Sequence, residues 1–140
     1  MKKVSVENVI KSSHSLMNEV VVGTAGEIKD AQFVIKLDDL LKERGLTQKD
    51  LANLTGMRVG TISEIVNGKG ISLNKIQLLS IMVALRLTSL NQLLDVHLPD
   101  SLHEKFDAES KDWIESKDMP ENIKELYKTN VLKTNLGDKF

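Results

Sequence analysis

The stretch Leu46–Gly68, "LTQKDLANLTGMRVGTISEIVNG", decides how the rest of the chain is read. Thr47, with Asp50 three residues on, is a short-armed capping box that starts one helix, and Gly56 stops it. A second helix is expected over Val59–Val66, ahead of "NGKG". Two short helices that cross steeply make three demands. The crossing needs a small residue, the turn needs one that tolerates positive φ, and the inner face of the second helix must be apolar. Ala52 is the small residue, Gly56 follows four positions later, and Leu51, Met57, Ile62 and Ile65 supply the inner face. Chance rarely meets all three demands at these spacings.

Working outward, "FVIKL" from Phe33 reads as a short strand leading into a helix over Asp38–Arg44, closed by Gly45. Downstream, Ser72 is expected to cap a helix over Leu73–Leu85, and Thr88 or Ser89 a fifth over Ser89–Leu94. "DVHL" alternates enough to form a strand that pairs with "FVIKL". Before this region, Val6, Val9, Ile10, Leu16, Met17 and Val20 fit one helix, which the β-like run and glycines of "VVVGTAG" end. After it, Leu102, Phe106, Trp113 and Ile114 mark an amphipathic helix. Pro120 opens another, lined by Ile123, Leu126, Tyr127, Val131 and Leu132. Three parts follow: an extension over 1–32, a compact domain over 33–98 and an acidic helical extension over 99–140.

Composition narrows the function classes. The chain has 140 residues, 41% hydrophobic and 28% charged, as expected of a globular protein. It has no cysteine, which rules out disulfides, thiolate zinc sites and cysteine nucleophiles. The longest apolar run, Ile76–Leu87, is short and broken by Gln77, Ser80 and Arg86, so it reads as a buried helix and not a membrane span. The N-terminus lacks a sustained apolar core, and a cytoplasmic protein is the expectation. Net charge is −1, but it is unevenly spread. Residues 36–95 carry eight Lys or Arg against six acids, and residues 96–140 carry seven Lys against ten acids. A chain this neutral gains nucleic-acid affinity from a few placed contacts, not from a broad field.

The frame "LTQ..LA...G....TIS.I.NG" in this sequence resembles the helix-turn-helix of phage repressors of the lambda-repressor and Cro type, the xenobiotic-response-element family. The resemblance spans about Lys36 to Asp95. It implies a five-helix domain, and with the two short strands and the terminal helices read above the expected fold is mainly α, with helical extensions at both ends. It also implies a transcriptional regulator, a repressor that binds an inverted-repeat operator in double-stranded DNA as a homodimer, in a phage or mobile-element setting. By that resemblance Gln48 reaches a phosphate, and Arg58, Val59, Gly60, Ser63 and Glu64 face the base edges. Thr61 lies near the DNA backbone, and Asn67 and Lys69 match phosphate-contacting positions.

The departures from the frame sharpen this reading. Position 58 commonly holds a Ser or Thr cap, and Arg58 cannot serve as one. Gly60 weakens the first turn by about 0.5–1 kcal/mol relative to Ala. Arg58 is the single long basic reader, suited to guanine; Val59 suits a thymine methyl. Glu64 either accepts from cytosine or stays a solvated acid. The strands "FVIKL" and "DVHL", taken as sheet edges, and the terminal helices are the candidate dimer surfaces.

The remaining chemistry is sparse. His97 and His103 are six apart and His14 is remote, so no metal site is expected. "GTAG" at Gly23–Gly26 lacks the residues of a phosphate loop, and no nucleophile–base pair is visible, so neither a cofactor nor an enzyme activity is expected. Phe106, Trp113 and Tyr127 suggest packing against the body, a dimer mate or a separate protein. The competing reading is an antitoxin-like interaction module whose C-terminal helices bind another protein.

Overall fold

The computed structural model describes residues 1–13, 18–69 and 73–137. Strand β1 (Lys2–Ser5) runs antiparallel to β2 (Gln32–Ile35), with Val4 opposite Phe33. On its other side β2 pairs antiparallel with β3 (Leu94–His97), with Phe33 opposite Val96. The expected pairing of "FVIKL" with "DVHL" is therefore present. The expectation that "FVIKL" forms a sheet edge is overturned, because β2 is the central strand of the order β1-β2-β3. The outer edge of β3 is also blocked. The Lys36 N–H donates to the Leu93 carbonyl, and the antiparallel alternation then turns the Val96 N–H outward. The Asp95 carboxylate accepts that outward N–H at 2.8 Å, which holds its carboxyl below the usual range and takes away a donor that a further strand would need.

The N-terminal region differs from its expected form. β1 leads into α1 (Val6–Ser13), and "VVVGTA" is not a strand but lies in α2 (Glu19–Ala25). Local capping overrides the β-branched residues here: the Asn18 side chain accepts from the Val20 N–H at 2.7 Å, and the Thr24 hydroxyl donates to the Val20 carbonyl. Leu16 and Met17, expected on that helix, lie outside the described residues, as does His14 of the metal reading. A 3₁₀ turn over Gly26–Ile28 then brings the chain to β2.

The central domain follows the expected order closely. Its helices are α3 (Leu37–Glu43), α4 (Gln48–Thr55), α5 (Val59–Val66) and α6 (Lys75–Leu85). Leu37, Leu51, Ile62, Ile81, Leu85 and Leu93 are almost fully buried and form the centre of one core. Truncating a buried Leu or Ile in such a core costs about 2–5 kcal/mol. The start of α6 shifts: a reciprocal capping box between Asn74 and Gln77 sets it at Lys75, and Ser72 lies outside the described residues. The fifth helix contracts to a 3₁₀ turn over Leu90–Gln92, because Gln92 Oε1 accepts from the Thr88 and Ser89 N–H groups and closes the turn early. Two 17-residue helices follow, α7 (Asp100–Ser116) and α8 (Glu121–Gly137). No helix among the described residues is long and apolar enough to cross a membrane.

β1 and α5 meet at Gly68. Gly68 sits at φ +69, and a β-carbon there would run into the Val4 γ-methyl, with Ile35 Cδ1 3.3 Å away. Gly60, within α5, has open space where its β-carbon would point. Gly68→Ala is expected to cost about 1–3 kcal/mol, and Gly60→Ala to gain about 0.5–1 kcal/mol. Urea unfolding of the two variants beside wild type reads the opposite signs.

Candidate nucleic-acid interface

The local chemistry of α4 and α5 explains how they are held. Thr47 and Asp50 form the reciprocal cap that the sequence suggested: the Thr47 N–H donates to Asp50 Oδ2 at 2.9 Å and the Asp50 N–H to Thr47 Oγ1 at 3.1 Å. The Thr47 backbone N–H, and then its hydroxyl, hold the Asp50 carboxyl below its ordinary value. α4 ends at Gly56, which stands in the left-handed region at φ 81 and donates to the Ala52 carbonyl. Ala52 and Leu51 are buried on the inner side of α4. α5 begins without a side-chain cap: Arg58 is extended at φ −71, ψ 141 and makes no capping bond. The other end of α5 closes firmly. The Lys69 N–H donates to the Glu64 carbonyl and the Gly68 N–H to the Ile65 carbonyl, a Schellman closure around a left-handed glycine.

Ile62, Ile65 and Val66 are buried against the core, so the intervening positions must turn away from it. Arg58, Val59, Gly60 and Glu64 are exposed, and Thr61 and Ser63 are half-buried. Gln48 is half-buried in the first turn of α4, while Asn67 and Lys69 are exposed just past α5. The nine residues singled out in the sequence thus fall on the two helices, at Arg58 in the turn between them, and in the turn after them. Two of them engage each other: Asn67 Nδ2 donates to the Ser63 carbonyl at 2.9 Å and to its hydroxyl oxygen at 3.3 Å. A side-chain donation from Asn67 to phosphate requires those bonds to open.

Residues 37–83 match the family model described as helix-turn-helix, which covers about a third of the chain. This segment is a helix-turn-helix. No curated protein and no solved structure matches the chain. In DNA-binding helix-turn-helix proteins the second helix, the place α5 holds here, enters the major groove.

Lys36, Lys42, Arg44, Lys111 and Lys124 all pair with acids. Among the described residues Lys49, Arg58, Lys69 and Lys75, on or beside α4–α6, make no ion pair. Cations without an acid partner keep their full charge for phosphate. Glu64 also lacks a described ion partner and sits among them as an exposed acid. No feature of the sequence places Lys2 near this group. Pairing of β1 with β2 sets its stem beside Gly68, with Cγ 3.6 Å from the β-carbon position there, and only the sheet makes that neighbour visible.

Two tests follow from the caps. Arg58→Ser supplies the missing cap of α5 and is expected to raise stability by about 1 kcal/mol while weakening DNA binding, so melting and binding should move in opposite directions. Asp50 has a depressed folded pKa, so its contribution is present above the unfolded carboxylate value and is lost as pH falls through the folded one. The stability advantage of wild type over Asp50→Asn is accordingly expected to hold at neutral pH and shrink below about pH 4, which denaturant melts across pH 2–7 would follow.

Proposed function

We propose that this protein is a sequence-specific DNA-binding transcriptional regulator, a repressor that binds an inverted-repeat operator as a homodimer. The observation that carries this reading is the disposition of α5. Its apolar side is buried, its other side offers Arg58, Val59, Gly60, Ser63 and Glu64 to a groove, and unpaired cations flank it. Arg58 donates to guanine O6 and N7, Val59 packs on a thymine methyl, and Glu64 tolerates only a base that donates to it, such as cytosine. Gly60 has no side chain to keep the helix from a close approach to the bases. Gln48, Thr61, Asn67 and Lys69 hold the phosphates, and Lys2 adds a cation at the α5 terminus. Two such helices in a dimer stand about 34 Å apart, one turn of DNA.

The second reading, an antitoxin-like module that binds another protein through its C-terminal helices, draws on the exposure of Ile114 and Tyr127 in α7 and α8. It predicts that DNA binding is absent or unselective.

Selection from random DNA with the full chain at moderate salt separates the two. The regulator reading expects an enriched inverted repeat, with log affinity falling linearly as log salt rises. Arg58→Ala is expected to relax preference at one base position in each half-site. Lys69→Ala is expected to weaken all sequences alike and to reduce the salt slope by about 1. Enrichment of no motif would end the regulator reading.

A further inference from the structure

We infer that the cavity between α5 and the sheet is a binding site for a small neutral amphiphile, and that its occupant competes with DNA. The antiparallel register puts Val4, Phe33, Ile35 and Leu94 on one face of the sheet. Val4 lies opposite Phe33, and Ile35, two residues on, lies opposite Leu94. Across from that face stands one flank of α5 and its terminus, where Thr61, Glu64, Ile65 and Gly68 recur at helical spacing. These two walls, with Leu78 of α6, bound a cavity of about 320 Å³, at the small end of ligand-binding pockets. Protein interiors hold few voids larger than a water molecule, so a space of this size beside the core is unusual. Val4, Phe33, Leu78 and Leu94 pack on the core yet are only partly buried, and all four line the cavity.

The chemistry of the lining selects the occupant. Its polar side chains, Thr61, Glu64 and Lys69, all come from α5 and the turn after it, and its other side chains are apolar. An occupant therefore sets a polar head toward α5 and an apolar body toward the sheet and Leu78. The Lys69 N–H donates to the Glu64 carbonyl at 2.8 Å, which holds both residues at the same end of the helix. Among the described residues the side chains of Thr61, Glu64 and Lys69 make no hydrogen bond or ion pair. The head thus meets one free acid and one free cation. A carboxylate head faces Glu64 as a like charge, and an ammonium head faces Lys69 as one. A primary amide donates to Glu64 and accepts from Lys69, so an amide on a medium-length alkyl chain matches both walls. The larger groove beside α8, lined by Trp113 and Tyr127, has no charged side chain in its wall. Thr61, Glu64 and Lys69 also belong to the proposed DNA surface, so ligand and duplex draw on the same groups and each weakens the other. That antagonism rests on the regulator reading; the site and its occupant do not.

Titration of the full chain with octanamide, followed by NMR, tests the site. Saturable binding is expected, with a Kd below about 1 mM, and with nuclear Overhauser contacts from the alkyl chain to methyl groups of Val4, Leu78 and Leu94. Contacts to Ile123 and Leu126 in their place, or no saturation, would overturn the site. Leu78→Trp fills the cavity and is expected to abolish the binding, and unchanged binding by the folded variant would overturn the site as well. The wild-type contacts decide the matter even where that variant does not fold. Octanoate and octylammonium are expected to bind about tenfold more weakly than octanamide; equal or tighter binding of either would overturn the neutral head. Competition is read from the fluorescence anisotropy of a selected duplex. Saturating octanamide is expected to weaken DNA binding by wild type about tenfold and to leave that of Leu78→Trp unchanged. Unchanged DNA affinity with the cavity occupied would overturn the antagonism. A chain that binds octanamide there and selects no DNA contradicts the regulator reading, and the antagonism with it, while the site stands.

Discussion

Burial of Ile62, Ile65 and Val66 fixes the rotation of α5 about its own axis, and the proposed DNA surface depends on that rotation. A helix repeats every 3.6 residues, so committing three positions to the core determines which positions face away from it. Arg58, Val59, Gly60 and Glu64 are outward because these three are inward, not through any contact of their own. The weak, uncapped start of α5 is tolerable for the same reason. Packing behind the helix holds what its first turn does not.

The second constraint is the backbone at the two ends of the motif. At Gly56 the chain passes through the left-handed region and sets the crossing of α4 and α5. At Gly68 it does so again, and the missing β-carbon lets Val4 of β1 close against the end of α5. The sheet is thereby tied to the end of α5.

The helix-turn-helix was legible because its demands are local and steric. Ala52, Gly56 and Ile62 answer requirements of a few neighbouring residues, and the expected bounds of α5, Val59–Val66, coincide with the observed ones. Elements that depend on distant partners were not legible. β1 is four residues, two of them lysine, and exists because β2 hydrogen-bonds to it. Val20–Val22 have strand propensity, but Asn18 caps them into a helix that packs near α8, more than a hundred residues on. Among the proposed contact residues, sequence supplied the positions but not the state of the side chains: the bond from Asn67 to Ser63 and the approach of Lys2 to Gly68 needed three dimensions.

The most direct test of the central claim is a residue-by-residue map of amide chemical-shift changes when the full chain is titrated with its selected DNA. The account predicts the largest changes at Gln48, along Arg58–Glu64 and at Asn67–Lys69, with Ile81 and Leu85 of the core nearly still. Changes concentrated on α7 and α8, or none at DNA concentrations well above the protein's, would contradict it.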